Sequence, residues 1–213
     1  MKKFNDLDDF IDILVGEDYN ATMQLPDPQL VQYYNDLENR TIWICEEIGE
    51  STLDIVSKIV KWNREDKGLA CEMRKPIKLL FFSPGGSLDI EEAVVSVIRL
   101  SQTPIYGIAL GMVASAASLI YLSCHKRYAL PNAYFVLHKG SCQNISGDYE
   151  NVQNAMEDYK RQIEKLEKFY IEYTNIPEDE VKNKLKSDWY IRGEELIEKG
   201  LVHEWIEDID ILL

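Results

Sequence analysis

Three side chains in this sequence are of the types that together carry out acyl transfer: Ser115, His138 and Asp188. Ser115 ends the run Gly111-Met112-Val113-Ala114-Ser115, and Ala116 follows it. Gly111 and Ala114 are small enough for a sharp strand-to-helix junction. That junction would set the hydroxyl at a helix N-terminus, where partial positive charge favours an oxyanion. A serine hydroxyl is a weak nucleophile until a base takes its proton. Near neutral pH that base is most often histidine. The chain has 3. His125 lies beside Lys126 and Arg127 and reads as a surface residue. His203 falls in an alternating C-terminal segment and reads as partly exposed. His138 ends the apolar run from Tyr134 and is the candidate base. Asp188, just before Trp189-Tyr190-Ile191, could orient His138 and stabilise its charged form. Singly, each residue has a plainer reading: small residues pack under a helix, a strand-end histidine bonds backbone, and Asp188 is one of 37 acids.

A second feature bears on the same chemistry. Ser83-Pro84-Gly85-Gly86 interrupts an apolar run and precedes a helical pattern. Paired glycines in such a turn can present backbone N–H groups with no side chain in the way. A phosphate cradle is the weaker reading, since neither G-x-x-x-x-G-K-[ST] nor a strand-linked G-x-G-x-x-G is present. An oxyanion donor fits better, beside the plain reading of a tight turn.

The elements that must position these residues alternate in type. Thr41–Cys45 reads as a strand and Ser51–Lys67 as an amphipathic helix. Ile77–Phe82 is a nearly continuous apolar run, as in a buried parallel strand. Asp89, with Glu92 three residues on, is the expected cap of a helix whose apolar face is Ala93, Val94, Val97 and Ile98. Ile105–Leu110 reads as a strand and Met112–Cys124 as a helix. Tyr134–Leu137 is the next strand, and Asp148–Tyr173 a long charged helix with few breakers. Pro177–Lys186 and Glu194–Lys199 follow as helices, the second stopped by Gly200, and Leu201–Ile206 as a closing strand. This alternation points to an α/β fold built from ββα or βαβ units.

Bulk properties narrow the function classes. A chain of 213 residues, 46% of them hydrophobic, can bury one sizeable core. Its net charge of −14 argues against nucleic acid and anionic membranes as partners. Cys45, Cys71, Cys124 and Cys142 are scattered without a C-x-x-C pair, which suits free thiols in a reducing cytoplasm and not a zinc site. The acidic N-terminal stretch, with Pro26 and Pro28 near its end, develops no apolar core of a signal peptide; a short helix is expected over Asp8–Val15. Ile105–Cys124 carries no formal charge and invites a transmembrane reading. Its glycines and serines, and the turn in its middle, fit a buried strand, sharp turn and buried helix better.

Four blocks, in their order and spacing, resemble the proteolytic subunits of the Clp protease, the ClpP family. They are Ser83-Pro84-Gly85-Gly86; Gly111-Met112-Val113-Ala114-Ser115; Lys126-Arg127-Tyr128-Ala129-Leu130-Pro131-Asn132-Ala133 running to His138; and Asp188-Trp189-Tyr190-Ile191 running to Glu195, Gly200, Leu201 and Val202. The resemblance covers the chain from about Tyr33 onward. It implies a serine endopeptidase with Ser115 as nucleophile, His138 as general base, Asp188 as orienting acid, and the Gly86 and Ala116 amides as the oxyanion hole. It implies a crotonase-like α/β core with a protruding helical handle over 148–186. The domain would span 31–213, after an acidic leader over 1–30. It also implies a homo-oligomer of stacked rings, commonly heptameric, around a chamber that takes peptides or unfolded proteins. An unfoldase ATPase is the implied partner; no metal or organic cofactor is called for. Two alternatives stay open: a catalytically silent ring subunit that scaffolds or regulates an active one, and a crotonase-type acyl-CoA enzyme. Where the family usually has His-Gln-Pro and a glycine-rich segment, this chain has His138-Lys139-Gly140-Ser141-Cys142-Gln143-Asn144-Ile145-Ser146-Gly147. Its leader does not resemble the family's axial segment.

Overall fold

The computed structural model describes residues 27–140 and 145–212; the helix expected over Asp8–Val15, and Cys142, lie outside them. The chain divides at Asp36/Leu37 into two compact units. The first described element is helix α1 (Pro28–Glu38). The Asp27 carboxylate accepts from the Gln29 N–H at 2.9 Å, and Pro28, whose missing N–H costs nothing at a first helical position, follows it. Pro28 therefore starts a helix, where the sequence suggested only the end of a leader.

From Leu37 onward the order is β1 (Thr41–Ile44), α2 (Asp54–Glu65), β2 (Ile77–Ser83), α3 (Leu88–Leu100), β3 (Ile105–Ala114), α4 (Ala116–Leu122), β4 (Lys126–Ala129), β5 (Tyr134–Leu137), α5 (Tyr149–Tyr173), α6 (Glu178–Lys184), β6 (Trp189–Arg192), α7 (Glu195–Glu198) and β7 (Glu204–Trp205). The strands form one 7-stranded sheet with the path β1-β2-β3-β4-β7. β3 forks. Tyr106–Ala109 pairs in parallel with Lys126–Ala129 of β4, and Met112–Ala114 pairs in parallel with Tyr134–Val136 of β5. β6 then joins β5 antiparallel.

The two faces of the sheet are unequal. Leu79 and Phe81 of β2, Ala109 and Val113 of β3, and Phe135 and Leu137 of β5 belong to the main core with α2, α3 and α4. Residues of opposite parity, Leu80 and Ile108, join a smaller cluster with Tyr128 and Ile206, closed by Ile211 and Leu212. This is the period-2 alternation of strands covered on both sides. α4 is buried at every position, which answers the transmembrane reading of Ile105–Cys124. Among the described residues, no helix is long and apolar enough to cross a membrane.

Several boundaries differ from the sequence reading, each for a local reason. β3 runs on through Met112–Ala114, expected as helix, because those residues ladder with β5. A 3-10 turn (Glu50–Leu53) precedes α2. α3 starts at Leu88 with Ser87, not Asp89, as its cap. The closing strand shrinks to Glu204–Trp205 because the Leu201 and Val202 N–H groups donate to the Leu196 carbonyl, finishing α7 past Gly200. α5 has Asp148 as N-cap, its side chain accepting from the Asn151 N–H at 2.9 Å. Only Leu166 and Tyr170 of its 25 residues are buried, so the helix docks by its C-terminal part and leaves the rest in solvent.

Candidate active site

Each of the three candidate residues lies one position beyond the end of a strand. Ser115 follows Ala114 of β3, His138 follows Leu137 of β5, and Asp188 precedes Trp189 of β6. The ladders explain why they meet. The parallel β3–β5 pairing ends at Ala114↔Val136, and the Ser115 N–H still donates to the Val136 carbonyl at 2.9 Å. The antiparallel β5–β6 pairing ends at Leu137↔Trp189, so one further step sets His138 opposite Asp188 on the same face.

The side chains close the arrangement. His138 Nε2 lies 2.7 Å from Ser115 Oγ, and His138 Nδ1 lies 3.4 Å from Asp188 Oδ1. The first distance is a normal hydrogen bond, while the second is longer than a charge-assisted one. The His138 and Asp188 side chains are 32% and 59% exposed, so the serine–histidine end is the more enclosed.

Ser115 has φ 51° and ψ −130°. Apart from Arg40 it is the only non-glycine residue with positive φ among those described. An L side chain there is strained, and the strain aims the hydroxyl across the sheet end. The glycine turn packs directly against this residue. A Cβ added to Gly85 (φ +96°) would fall 2.6 Å from Ser115 Cβ and 3.0 Å from the Ala116 nitrogen. Gly86 is held in register by the Ile48 N–H donating to the Gly85 carbonyl at 2.7 Å and the Ser87 N–H donating to the Ile48 carbonyl at 2.9 Å. Gly86 and Ala116, the two expected amide donors, thus lie in backbone segments that touch.

The other histidines stay out of the site. The exposed His125 accepts from the Ile105 N–H at 2.9 Å. His203, also exposed, faces the buried Arg127, whose Nε lies 3.0 Å from His203 Nε2. Partial desolvation of the ring where it meets Arg127, and the Arg127 charge, hold the His203 pKa below its ordinary value. Sequence reasoning missed one connection: Ser118 Oγ donates to the Ser115 carbonyl at 2.6 Å and lies 2.9 Å from the Tyr170 hydroxyl. The only sequence signal was the placement of Leu166 and Tyr170 at i, i+4 on one face of α5.

A family model described as Clp protease matches residues 27–208. The chain is 31% identical over 182 residues to the ATP-dependent Clp protease proteolytic subunit 2 of Treponema denticola, covering 83% of this chain and 85% of that protein. It is 30% identical over 206 residues to the corresponding subunit 2 of Borreliella burgdorferi, covering 91% and 94%. A ClpP1 mutant structure from Listeria monocytogenes superposes with a TM-score of 0.72 at 22% identity, over 86% of this chain and 99% of that one; that likeness concerns the fold, which is crotonase-like. The chain belongs to the Clp protease family as a divergent ClpP-type member, a serine-type peptidase.

Proposed function

We propose that this protein is an endopeptidase that cleaves peptides or unfolded proteins through a Ser115–His138–Asp188 triad and an acyl-enzyme. The observation that carries the reading is the 2.7 Å contact between Ser115 Oγ and His138 Nε2 at a serine held in a strained turn. In the proposed cycle, His138 Nε2 accepts the Ser115 proton as Oγ bonds to the scissile carbonyl carbon. The Gly86 and Ala116 N–H groups stabilise the resulting oxyanion, each donor contributing roughly 3–4 kcal/mol to transition-state stabilisation. The protonated His138 hands its proton to the leaving amine as the C–N bond breaks. Water, deprotonated by His138, then hydrolyses the ester and restores Ser115. Asp188 keeps the Nδ1 proton in place throughout. None of these steps calls on a metal or organic cofactor.

The wider setting belongs to the same proposal. Residues 31–213 form the peptidase domain, 1–30 its leader, and 148–186 a handle. The solvent-facing length of α5 suits a contact between copies, so the working form is a homo-oligomer of rings around a chamber. An unfoldase ATPase is the natural supplier of unfolded chains, and the setting is cytoplasmic. A second reading, a silent ring subunit beside an active one, draws on the long and exposed His138–Asp188 contact.

Ser115→Ala separates the two. The parent is expected to label with a fluorophosphonate and cleave small peptides. The variant should lose labelling and at least ~10⁴-fold in kcat while keeping its native mass. Equal labelling of both proteins would refute the nucleophile, and a parent that assembles but never labels would favour the silent subunit.

A further inference from the structure

Ser115 has a backbone role as well as a hydroxyl. Its carbonyl and the Ala116 N–H belong to one planar peptide unit and point in opposite directions. Whatever grips the carbonyl therefore aims the N–H. That carbonyl is gripped twice: the Ser118 N–H donates to it at 2.9 Å and the Ser118 hydroxyl at 2.6 Å. A serine hydroxyl has a single proton. Since Ser118 spends it on the Ser115 carbonyl, the 2.9 Å contact between Ser118 Oγ and the Tyr170 hydroxyl must have tyrosine as donor. Ser118 and Tyr170 are both fully buried. Burial pushes the Tyr170 phenol well up, so it keeps the proton it donates. The resulting chain runs in one direction, from Tyr170 O–H to Ser118 O–H to the Ser115 C=O, and bonds ordered this way polarise one another.

We propose that Ser118 and Tyr170 are positioning residues that fix the Ser115–Ala116 peptide so that the Ala116 N–H points at the developing oxyanion. The inference rests on the peptidase reading above. It also ties α5 to the chemistry: Tyr170 lies in the docked C-terminal part of that helix, and its main chain is held by the Thr174 hydroxyl donating to the Tyr170 carbonyl at 2.6 Å. A shift of α5 would reach the oxyanion donor through two hydroxyls.

The test is a double-mutant cycle in the full-length protein with Ser118→Ala, Tyr170→Phe and the pair together. Ser118→Ala removes the hydroxyl from that grip while the backbone N–H bond stays, and should lower kcat roughly 10–100-fold with KM within about 2-fold. Tyr170→Phe leaves the Ser118 donor in place and should lower kcat only about 3–10-fold. In the Ser118→Ala background, Tyr170→Phe should cost no further activity. Thermal stability should behave differently. Ser118→Ala strands a buried phenol, so the double variant should regain part of the lost Tm while its kcat stays low. A peptide aldehyde, whose adduct places an oxyanion in the hole, should lose affinity in step with kcat/KM. Additive kcat losses, or kcat recovering along with Tm, would overturn the inference and leave a packing role. An active parent with unmoved variants would overturn it alone. A parent that neither labels nor cleaves would overturn the peptidase reading and this inference with it.

Discussion

Gly85 has no room for a side chain above Ser115: a Cβ there would lie 2.6 Å from the Ser115 Cβ and 2.7 Å from the Ala114 carbonyl oxygen. The turn after β2 and the junction after β3 meet backbone to backbone, so the gap between the Gly86 and Ala116 amides is set by the absence of one methyl group. Gly85 also sits at φ +96°. Gly85→Ala should therefore push the two segments apart and lower kcat at least ~100-fold, with a smaller loss of Tm. Steady-state peptide hydrolysis beside a melting curve checks this; normal turnover would mean that the turn does not take part.

Asp188 should matter less than its partners. Its carboxylate is 3.4 Å from His138 Nδ1 and 59% exposed, so solvent screens it and water can take over part of its role. Asp188→Asn should lower kcat roughly 10²-fold, against at least ~10⁴-fold for Ser115→Ala or His138→Ala. Parallel kcat measurements on the three variants decide the ranking. Losses of equal size would mean that the contact tightens in the working enzyme.

Glu91 imposes a pH dependence on folding. It is buried on α3, and burial pushes its carboxyl up to about 8; Glu92 acts in the same direction, while Lys165 of α5 and Arg99 of α3 oppose it. Asp89 and Glu91 line one cavity between α3 and α5, and Tyr170 interacts with Glu91 from α5. Between about 4.5 and about 8 the folded chain holds a proton that the unfolded chain has released. The stability from this group is complete below that window, falls as pH rises through it and is gone above it. Glu91→Gln carries no such dependence. It should give a flatter Tm profile from pH 5 to 8 and melt roughly 4–8 °C above the parent at pH 8.5. Parallel profiles would rule this out.

Asp66 acts at the acid end. The Arg40 guanidinium donates to it at 2.6 and 2.8 Å and the Thr103 hydroxyl at 2.8 Å. The Arg40 bonds, against the opposing effect of burial, hold its carboxyl below the usual 3.8. This stability is present above that value and is lost as pH falls through the depressed one. Asp66→Asn leaves a largely buried guanidinium with only the 3.7 Å contact to the more exposed Glu65 as counter-charge and should cost about 3 kcal/mol at pH 7. The gap from the parent should narrow as pH falls below 3.8 toward the depressed value, a convergence that a series of urea titrations from pH 7 downward would detect.

Much of this was legible in the chain itself. The apolar runs at Ile77–Phe82 and Tyr134–Leu137 announce strands because buried parallel strands need no polar face. Gly85-Gly86 and the residues around Ser115, His138 and Asp188 mark the site by type. The end of β3 was not legible: Met112–Ala114 carry no decisive local preference, and what makes them a strand is a ladder to β5, twenty residues away, that local patterning cannot register. Pro28 read as the end of a leader because its helix-starting role depends on Asp27 capping it. The Ser118–Tyr170 contact spans 52 residues, and both residues look like ordinary packing until they share a hydroxyl bond. The burial of Glu91 has no mark in its local pattern, because it follows from the packing of α3 in the fold.

The short ladder between β5 and β6 governs more than two strands. Four residue pairs bring His138 and Asp188 to a common end, and that hairpin-like seam lies at the margin of the sheet. A slip of one residue along it would turn the imidazole and the acid to opposite faces while most of the hydrophobic interior stayed assembled. Such a molecule would keep most of its fold and still be inert, so the alignment of this one seam, more than the bulk of the core, decides whether the chemistry is available.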